Sequence, residues 1–139
     1  MLGLSGCPDN CVLEMRGHTA RVTSATTITQ KVGGRTFART AADLKAGLPL
    51  KVKGTYSNGS VLVKTIFIKD RLKMVSTIAS IKGNDLKIAL GSTEVAFTIP
   101  YYQGIVFGSP KAGQRVLVFG NVTRDLSAPF IATRVQPVD

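Results

Sequence analysis

The side chains of this chain that could do chemistry are few: two cysteines, one histidine and eight carboxylates among 139 residues. Cys7 and Cys11 have three residues between them, whereas a catalytic redox pair has two. A zinc site would need two further ligands, and His18 is the only other soft candidate. The sequence therefore favours a turn at Cys7 and Cys11, either closed by a local disulfide or carrying two free thiols.

The histidine and the carboxylates form no catalytic pattern. His18 follows Gly17 in a predicted turn, where it is exposed to solvent. No glycine loop of the phosphate-binding type occurs, and Gly33-Gly34 is only a pair. Most carboxylates fall in turns or at helix caps, where they accept backbone hydrogen bonds: Asp9, Asp43, Asp70, Asp85 and Asp125. We therefore expect a protein that is not an enzyme and that holds no metal or other cofactor.

The chain is strongly basic, with 18 Lys and Arg against 8 Asp and Glu. Such a balance favours an anionic partner: nucleic acid, anionic lipid or an acidic protein. The charge is spread, with ten basic and four acidic side chains before Arg71 and eight and four from there on. Lysines on the solvent faces of strands would also explain it. No apolar stretch approaches the roughly 18 residues of a spanning helix, so we expect no membrane span.

An internal repeat organises the chain. Lys45-Ala46-Gly47 recurs as Lys111-Ala112-Gly113, and each phrase precedes an alternating segment that ends on glycine, Leu50–Gly54 and Val116–Gly120. Val63–Ile66 resembles Ala132–Val135 in the same way. The repeat predicts two copies of one small β domain, residues 1–70 and 71–139.

Each copy shows about five short strands and at most one helical turn. Thr40–Lys45 is the best helical candidate, Ser57-Asn58-Gly59 is a hairpin signal, and Lys31–Arg35 has the composition of a flexible basic loop. Val22–Ile28 is rich in β-branched residues. We predict an all-β chain of two tandem, five-stranded barrels of the OB type, which protect their strand edges by closing or nearly closing.

The two copies begin differently. The second opens with the strand Met74–Ile81, whereas only Met1–Val12 precede the matching point of the first. We therefore expect the first copy to lack most of its first strand. It could borrow one from the second copy, from a neighbouring chain or from upstream sequence, and a barrel with an open side invites strand addition.

Turn and core positions along nearly the whole chain form a recognisable pattern: Val22–Ile28, Ala42–Gly47, Val52–Gly59, Val61–Ile66, Thr77–Ile81, Lys111–Val116 and Ile131–Val135. In these segments the chain resembles a bacterial family of OB-like β-barrel repeats without an assigned function. Leu4–Pro8 resembles the loop after the family's first strand. Some members carry a cysteine near the position of Ala41 that could pair with the cysteine of this loop. This chain has alanine there, so Cys11 is the only possible disulfide partner for Cys7.

Members of that family are often exported or lipid-anchored, so the resemblance implies an exported protein of the periplasm or cell envelope. Leu4-Ser5-Gly6-Cys7 fits the pattern before a lipid-modified cysteine. Neither a basic start nor an apolar segment precedes it, so either the true start lies upstream or the match is accidental, and we favour the second interpretation.

The divergence between the copies suggests two binding functions. Leu117 and Phe119 are apolar where the first copy has Lys51 and Lys53, so the second side of that strand should be covered by the first copy or by a partner. With Tyr101 and Tyr102 they form a candidate interface for a protein partner, a larger envelope assembly or a second copy. The alternative is single-stranded nucleic acid, bound by a tyrosine and a basic set: Arg35, Arg39, Lys51, Lys53 and Lys64.

Overall fold

The computed structural model describes residues 3–7, 11–15 and 17–138, which lie mostly in β-strands and the turns between them. The chain divides into two compact units, Met1–Asp70 and Arg71–Asp139. The division falls at the junction between the two copies of the repeat. Pro8 and Asp9, which belong to patterns noted above, lie outside the described residues.

The second unit is a closed five-stranded barrel. Its order around the ring is β10-β12-β11-β8-β9, so the sheet returns on itself. The pair β10–β12 is parallel and all the others are antiparallel. The strands are β8 (Arg71–Lys82), β9 (Asp85–Leu90), β10 (Thr93–Thr98), β11 (Arg115–Asn121) and β12 (Phe130–Pro137), with the short helix α1 (Tyr102–Ile105) between β10 and β11.

The interior of this barrel is filled by the inward side chains of all five strands. Phe97 and Phe130 lie opposite each other on the parallel pair, with ring centroids 5.6 Å apart and planes tilted by 58°. Val116 and Val118 of β11 are fully buried beside them. The alternation of buried and less buried residues along β11 follows from the period of two in a strand.

The first unit is a sheet of seven strands that does not close. At its centre is β7, which pairs with β6 along one edge and with β3 and then β4, end to end and in parallel, along the other. From β3 the sheet continues to β2 and β1, and from β4 to β5. The strands are β1 (Gly3–Ser5), β2 (Cys11–Met15), β3 (His18–Val22), β4 (Thr27–Val32), β5 (Arg35–Arg39), β6 (Leu50–Ser57) and β7 (Ser60–Ile68).

A single 3-10 turn, Ala41–Asp43, connects β5 to the segment before β6. Thr40 and Asp43 form a capping box at its start, in which the Thr40 N–H donates to Asp43 Oδ2 at 2.8 Å. Cap side chains of this kind satisfy backbone donors that a short turn leaves without partners.

The prediction of an all-β chain is confirmed, and residues 71–139 form a closed five-stranded barrel, whereas the sheet of residues 1–70 has seven strands and is not a closed barrel. Gly33 and Gly34 form a two-residue turn that joins β4 to β5, so the segment predicted as a flexible loop is a hairpin. This hairpin gives the first unit its two additional strands.

The β-branched segment Val22–Ile28 is not one continuous strand, because residues 23–26 interrupt it. The Thr26 hydroxyl donates to the Val63 carbonyl at 2.8 Å and accepts from the Thr23 N–H at 3.0 Å. Threonine hydroxyls that bond the backbone in this way compete with strand pairing. The interruption separates β3 from β4.

The two units nevertheless share one strand plan. The path β1-β2-β3-β7-β6 in the first unit has the same order as β8-β9-β10-β12-β11 in the second, and in both the third strand of the path pairs in parallel with the fourth. The registers agree as well: Leu13 is opposite Ala20 and Ala20 opposite Val61, as Leu86 is opposite Phe97 and Phe97 opposite Phe130.

The last strand pair of each unit carries a β-bulge at the same place. The register shifts between Lys53 and Gly54 in the first unit and between Phe119 and Gly120 in the second. The glycines that end the repeated tripeptide are also alike, with φ of 92° at Gly47 and 88° at Gly113. A left-handed backbone at these two positions explains why both copies have glycine there.

Candidate functional site

The two units differ at one seam of the shared strand plan. In the second unit, β11 pairs with Arg71–Thr77 of β8 across seven residues, which closes the ring. Its counterpart β6 pairs only with β7 among the described residues, and β1 is three residues long and pairs with β2 alone. We call the outer edge of β6, Leu50–Ser57, the open edge. Its backbone donors and acceptors are available to another strand.

The open edge leaves interior positions in contact with solvent. Val118 is 0% exposed in the closed barrel, whereas Val52 at the same position is only half-buried. Val122 is 6% exposed, whereas Tyr56 at its position is 67% exposed. These side chains of β6 point to the side of the sheet that forms the core, so the missing neighbour strand accounts for their exposure.

The outward side of β6 and β7 is basic. Lys51 lies opposite Phe67 and Lys53 opposite Thr65, so these four side chains share one side of the sheet. Lys64 is the extra residue of the bulge beside them. The Lys53 ammonium lies 5.6 Å from the centroid of the Phe67 ring, within the range of a cation–π contact. We call Lys51, Lys53, Lys64 and Phe67 the basic face.

The two arginines proposed with these lysines lie on the other side of the sheet. Arg39 is opposite Ile28, whose side chain is buried. Arg35 is opposite Val32, which lies on the same side of β4 as Ile28. The Arg39 guanidinium donates from Nε to Oε1 of the buried Gln30 at 3.0 Å and lies 5.6 Å from the Phe37 centroid. The structure therefore unites Lys51, Lys53 and Lys64 but separates them from Arg35 and Arg39.

Leu117 and Phe119 both face outward on β11 and are half-buried. Leu117 lies opposite Val75, which is 44% exposed, and the Lys73 ammonium lies 5.7 Å from the Phe119 centroid. Side chains of β8 therefore cover part of both residues. The apolar surface that remains adjoins the Lys73 ammonium.

The tyrosines of the second unit are not on β11. Tyr101 precedes α1 and is 76% exposed, and Tyr102 is the first residue of that helix. Phe107, after the helix, is held under the Arg134 guanidinium at 4.7 Å, and Arg134 donates to Gln136 at 2.6 Å. Tyr101 and Tyr102 thus belong to the connection between β10 and β11.

Open depressions occur on the surface of the second unit. One, of about 490 Å³, lies beside Phe119 and is lined by Arg71, Asn121, Thr133 and Arg134 among others. The other, of about 330 Å³, is lined by Ser80, Lys82, Asp85, Lys87 and Pro129 among others. Both carry cationic side chains at their rims, and neither contains a histidine or a cysteine.

The residues with potential for acid–base or metal chemistry lie apart from one another. His18 is the first residue of β3, opposite Met15, and is exposed. No group of three or more His, Cys, Asp or Glu side chains comes together in the described part of the chain. Cys7 and Cys11 are joined in a disulfide, with their Cα atoms 4.2 Å apart.

Among residues 3–7, 11–15 and 17–138, no helix is long and apolar enough to cross a membrane.

Sequence reasoning did not identify two residues of these surfaces, Phe67 and Val75. Phe67 lies in the continuous apolar run Ile66-Phe67-Ile68, which gives no alternation from which to assign a face. Its side follows only from the pairing of Lys51 with Phe67. The side of the sheet on which Val75 lies follows in the same way from its pairing with Leu117.

No protein-family model, no curated protein and no solved structure matches this chain.

Proposed function

We propose that this chain is a non-catalytic binding module that docks on a protein partner through its first unit. The observation that carries the proposal is the open edge: β6 has one strand neighbour among the described residues where β11 has two, and Tyr56 is exposed where Val122 is buried. A free strand edge next to exposed apolar positions is a typical surface for recognising another chain.

We further propose that both units are OB-like domains in tandem. OB-like domains are five-stranded Greek-key barrels that need not be fully closed. The ring of the second unit supports this assignment, and the shared strand order supports it for the first. The resemblance to tandem OB-like bacterial repeats agrees with the same assignment. Since OB-like folds perform many unrelated tasks, the function is argued from the open edge.

We place the protein outside the cytoplasm, as a subunit of a larger assembly in the cell envelope. The disulfide between Cys7 and Cys11 supports this location because disulfides persist in oxidising compartments.

Site-specific photo-crosslinking in the native envelope tests the docking function. A photoreactive amino acid at Tyr56 should form a discrete adduct with one partner protein, because that side chain lies at the open edge. The matched control is the same group at Thr98, an exposed residue of the closed barrel. Adducts of equal yield from both positions, or none from Tyr56, would contradict a partner at this edge.

Single-stranded nucleic acid is the second candidate, favoured by one observation: Lys51 and Lys53 lie beside Phe67, which is 39% exposed. Single-strand binding combines basic side chains with aromatic rings on which bases stack. A labelled oligonucleotide should then bind at low salt, with affinity that falls steeply as salt rises. The double variant Lys51→Glu, Lys53→Glu should abolish this binding. If the intact protein does not bind at low salt, the candidate is excluded.

A further inference from the structure

We infer that the open edge is a strand-addition site for an extended acidic segment of a partner protein. The segment pairs antiparallel to β6, places apolar side chains toward the core, and places carboxylates opposite Lys51 and Lys53. The inference rests on the proposed docking function and specifies the chemistry of the partner.

The second unit shows what the first unit lacks. β1 pairs Leu4 with Leu13, as β8 pairs Ile81 with Leu86, so β1 corresponds to the last residues of β8. The part of β8 without a counterpart among the described residues includes Arg71–Thr77, the seven residues that pair with β11. Seven residues of strand are about 23 Å long at roughly 3.3 Å per residue.

The inward positions of the added strand should be apolar. In the closed barrel Leu72 lies opposite Gly120 and Met74 opposite Val118, and both glycine and valine are buried. The matching positions of β6 are Gly54, which is exposed, and Val52, which is half-buried. Apolar side chains opposite these two positions would remove their surface from water and so stabilise the complex.

The outward positions of the added strand should be acidic. In the closed barrel Leu117 lies opposite Val75, which makes an apolar pair. Phe119 lies opposite Lys73, whose ammonium contacts its ring. At the same positions β6 has Lys51 and Lys53, so the residue type required opposite them changes from apolar or cationic to anionic. Opposite charges directly across two strands stabilise the pair, whereas like charges destabilise it.

The same charges disfavour a second copy of this chain as the occupant. An exchanged β8 in the register of the closed barrel would place Lys73 opposite Lys53. Two β6 strands paired antiparallel would bring the lysines of one edge near those of the other. Lysine on an edge strand is a known means of preventing such self-association. A partner strand with carboxylates avoids both conflicts.

A pair of synthetic peptides tests the inference on the 139-residue protein. The acidic peptide is Thr-Val-Glu-Val-Glu-Val-Thr, blocked at both ends, and the matched peptide has Lys in place of both Glu. We expect the acidic peptide to bind and to slow hydrogen exchange at backbone amides of Leu50–Ser57. Reversing two cross-strand charge pairs should weaken binding about tenfold or more, so the Lys peptide should bind correspondingly less well.

A charge-reversed protein supplies the second readout. The variant Lys51→Glu, Lys53→Glu should prefer the Lys peptide, while Lys82→Glu, Lys87→Glu has the same net charge and should keep the original preference. Both variants change exposed side chains, and circular dichroism checks that they fold. Equal binding of the two peptides to the intact protein, or an unchanged preference in the first variant, would overturn the inference.

Three further outcomes also count against it. Slow exchange along the outer edge of β6 before peptide is added would mean that the edge is already covered, by the chain itself or by a second copy. An oligonucleotide that displaces the acidic peptide with steep salt dependence would assign the surface to nucleic acid instead. If neither peptide binds but crosslinking from Tyr56 still yields one partner, docking stands and the acidic-strand mechanism fails.

Discussion

At the scale of single residues, the repeat conserves a glycine within each copy because the bulge leaves no room for a side chain. A Cβ atom on Gly120 would lie 2.9 Å from the Ile131 carbonyl oxygen and 3.0 Å from Cε2 of Phe97. We predict that Gly120→Ala lowers the free energy of unfolding by about 1–3 kcal/mol, the usual cost of overpacking. Chemical denaturation followed by circular dichroism measures it.

The matched control is Gly104→Ala in the short helix α1, where the nearest neighbour of the new Cβ is 3.9 Å away. Alanine suits a helix better than glycine, so this variant should be neutral or more stable by up to about 1 kcal/mol. Equal destabilisation by both variants would show that the close contacts around Gly120 do not set its cost.

The side of the sheet that a residue faces could be predicted from the sequence for some residues and not for others. Alternation along Leu50–Gly54 and Val116–Gly120 predicts that Lys51 and Lys53 face the side of the sheet opposite to the inward valines. The structure confirms this. The sides of Arg35 and Arg39 could not be obtained in this way. They depend on the register across the Gly33-Gly34 turn, and a shift of one residue would have placed both on the opposite side.

At the scale of elements, the disulfide holds the shortest strand in place. β1 has three residues and pairs with β2 alone. The disulfide from Cys7 to Cys11 links the segment after β1 to the first residue of β2. We predict that Cys7→Ser speeds amide exchange in β1 and lowers the stability of the first unit by about 2 kcal/mol or less, since the closed loop is short. Cys11 is fully buried and is left unchanged.

The internal control of this experiment is the second unit, which contains no cysteine. Amide exchange in β8–β12 should be the same in the variant and in the intact protein. A uniform acceleration throughout both units, or no change in β1, would contradict a local role for the disulfide.

Elements with their own sequence signal were predictable, and elements decided by distant contacts were not. The Ser57-Asn58-Gly59 hairpin and the capped turn after Thr40 are local patterns, and both are present. The interruption between β3 and β4 depends on the bond from Thr26 to Val63, 37 residues away in sequence. No local pattern contains that contact.

At the scale of the whole molecule, ring closure should set the relative stability of the two units. The closed barrel has no free strand edge, and its inward valines on β11 are fully buried, whereas β6 exposes its outer edge and Tyr56. We therefore predict that residues 71–139 produced alone keep a cooperative thermal transition, and that residues 1–70 produced alone unfold at a lower temperature. Each fragment buries less surface than a larger domain, so both should unfold at modest temperatures.

Adding the acidic peptide should raise the thermal midpoint of the first fragment and leave that of the second unchanged, because only the first has an open strand edge to complete. Thermal scans at several peptide concentrations measure this, and a first fragment that is the more stable of the two without peptide would show that closure does not decide the order.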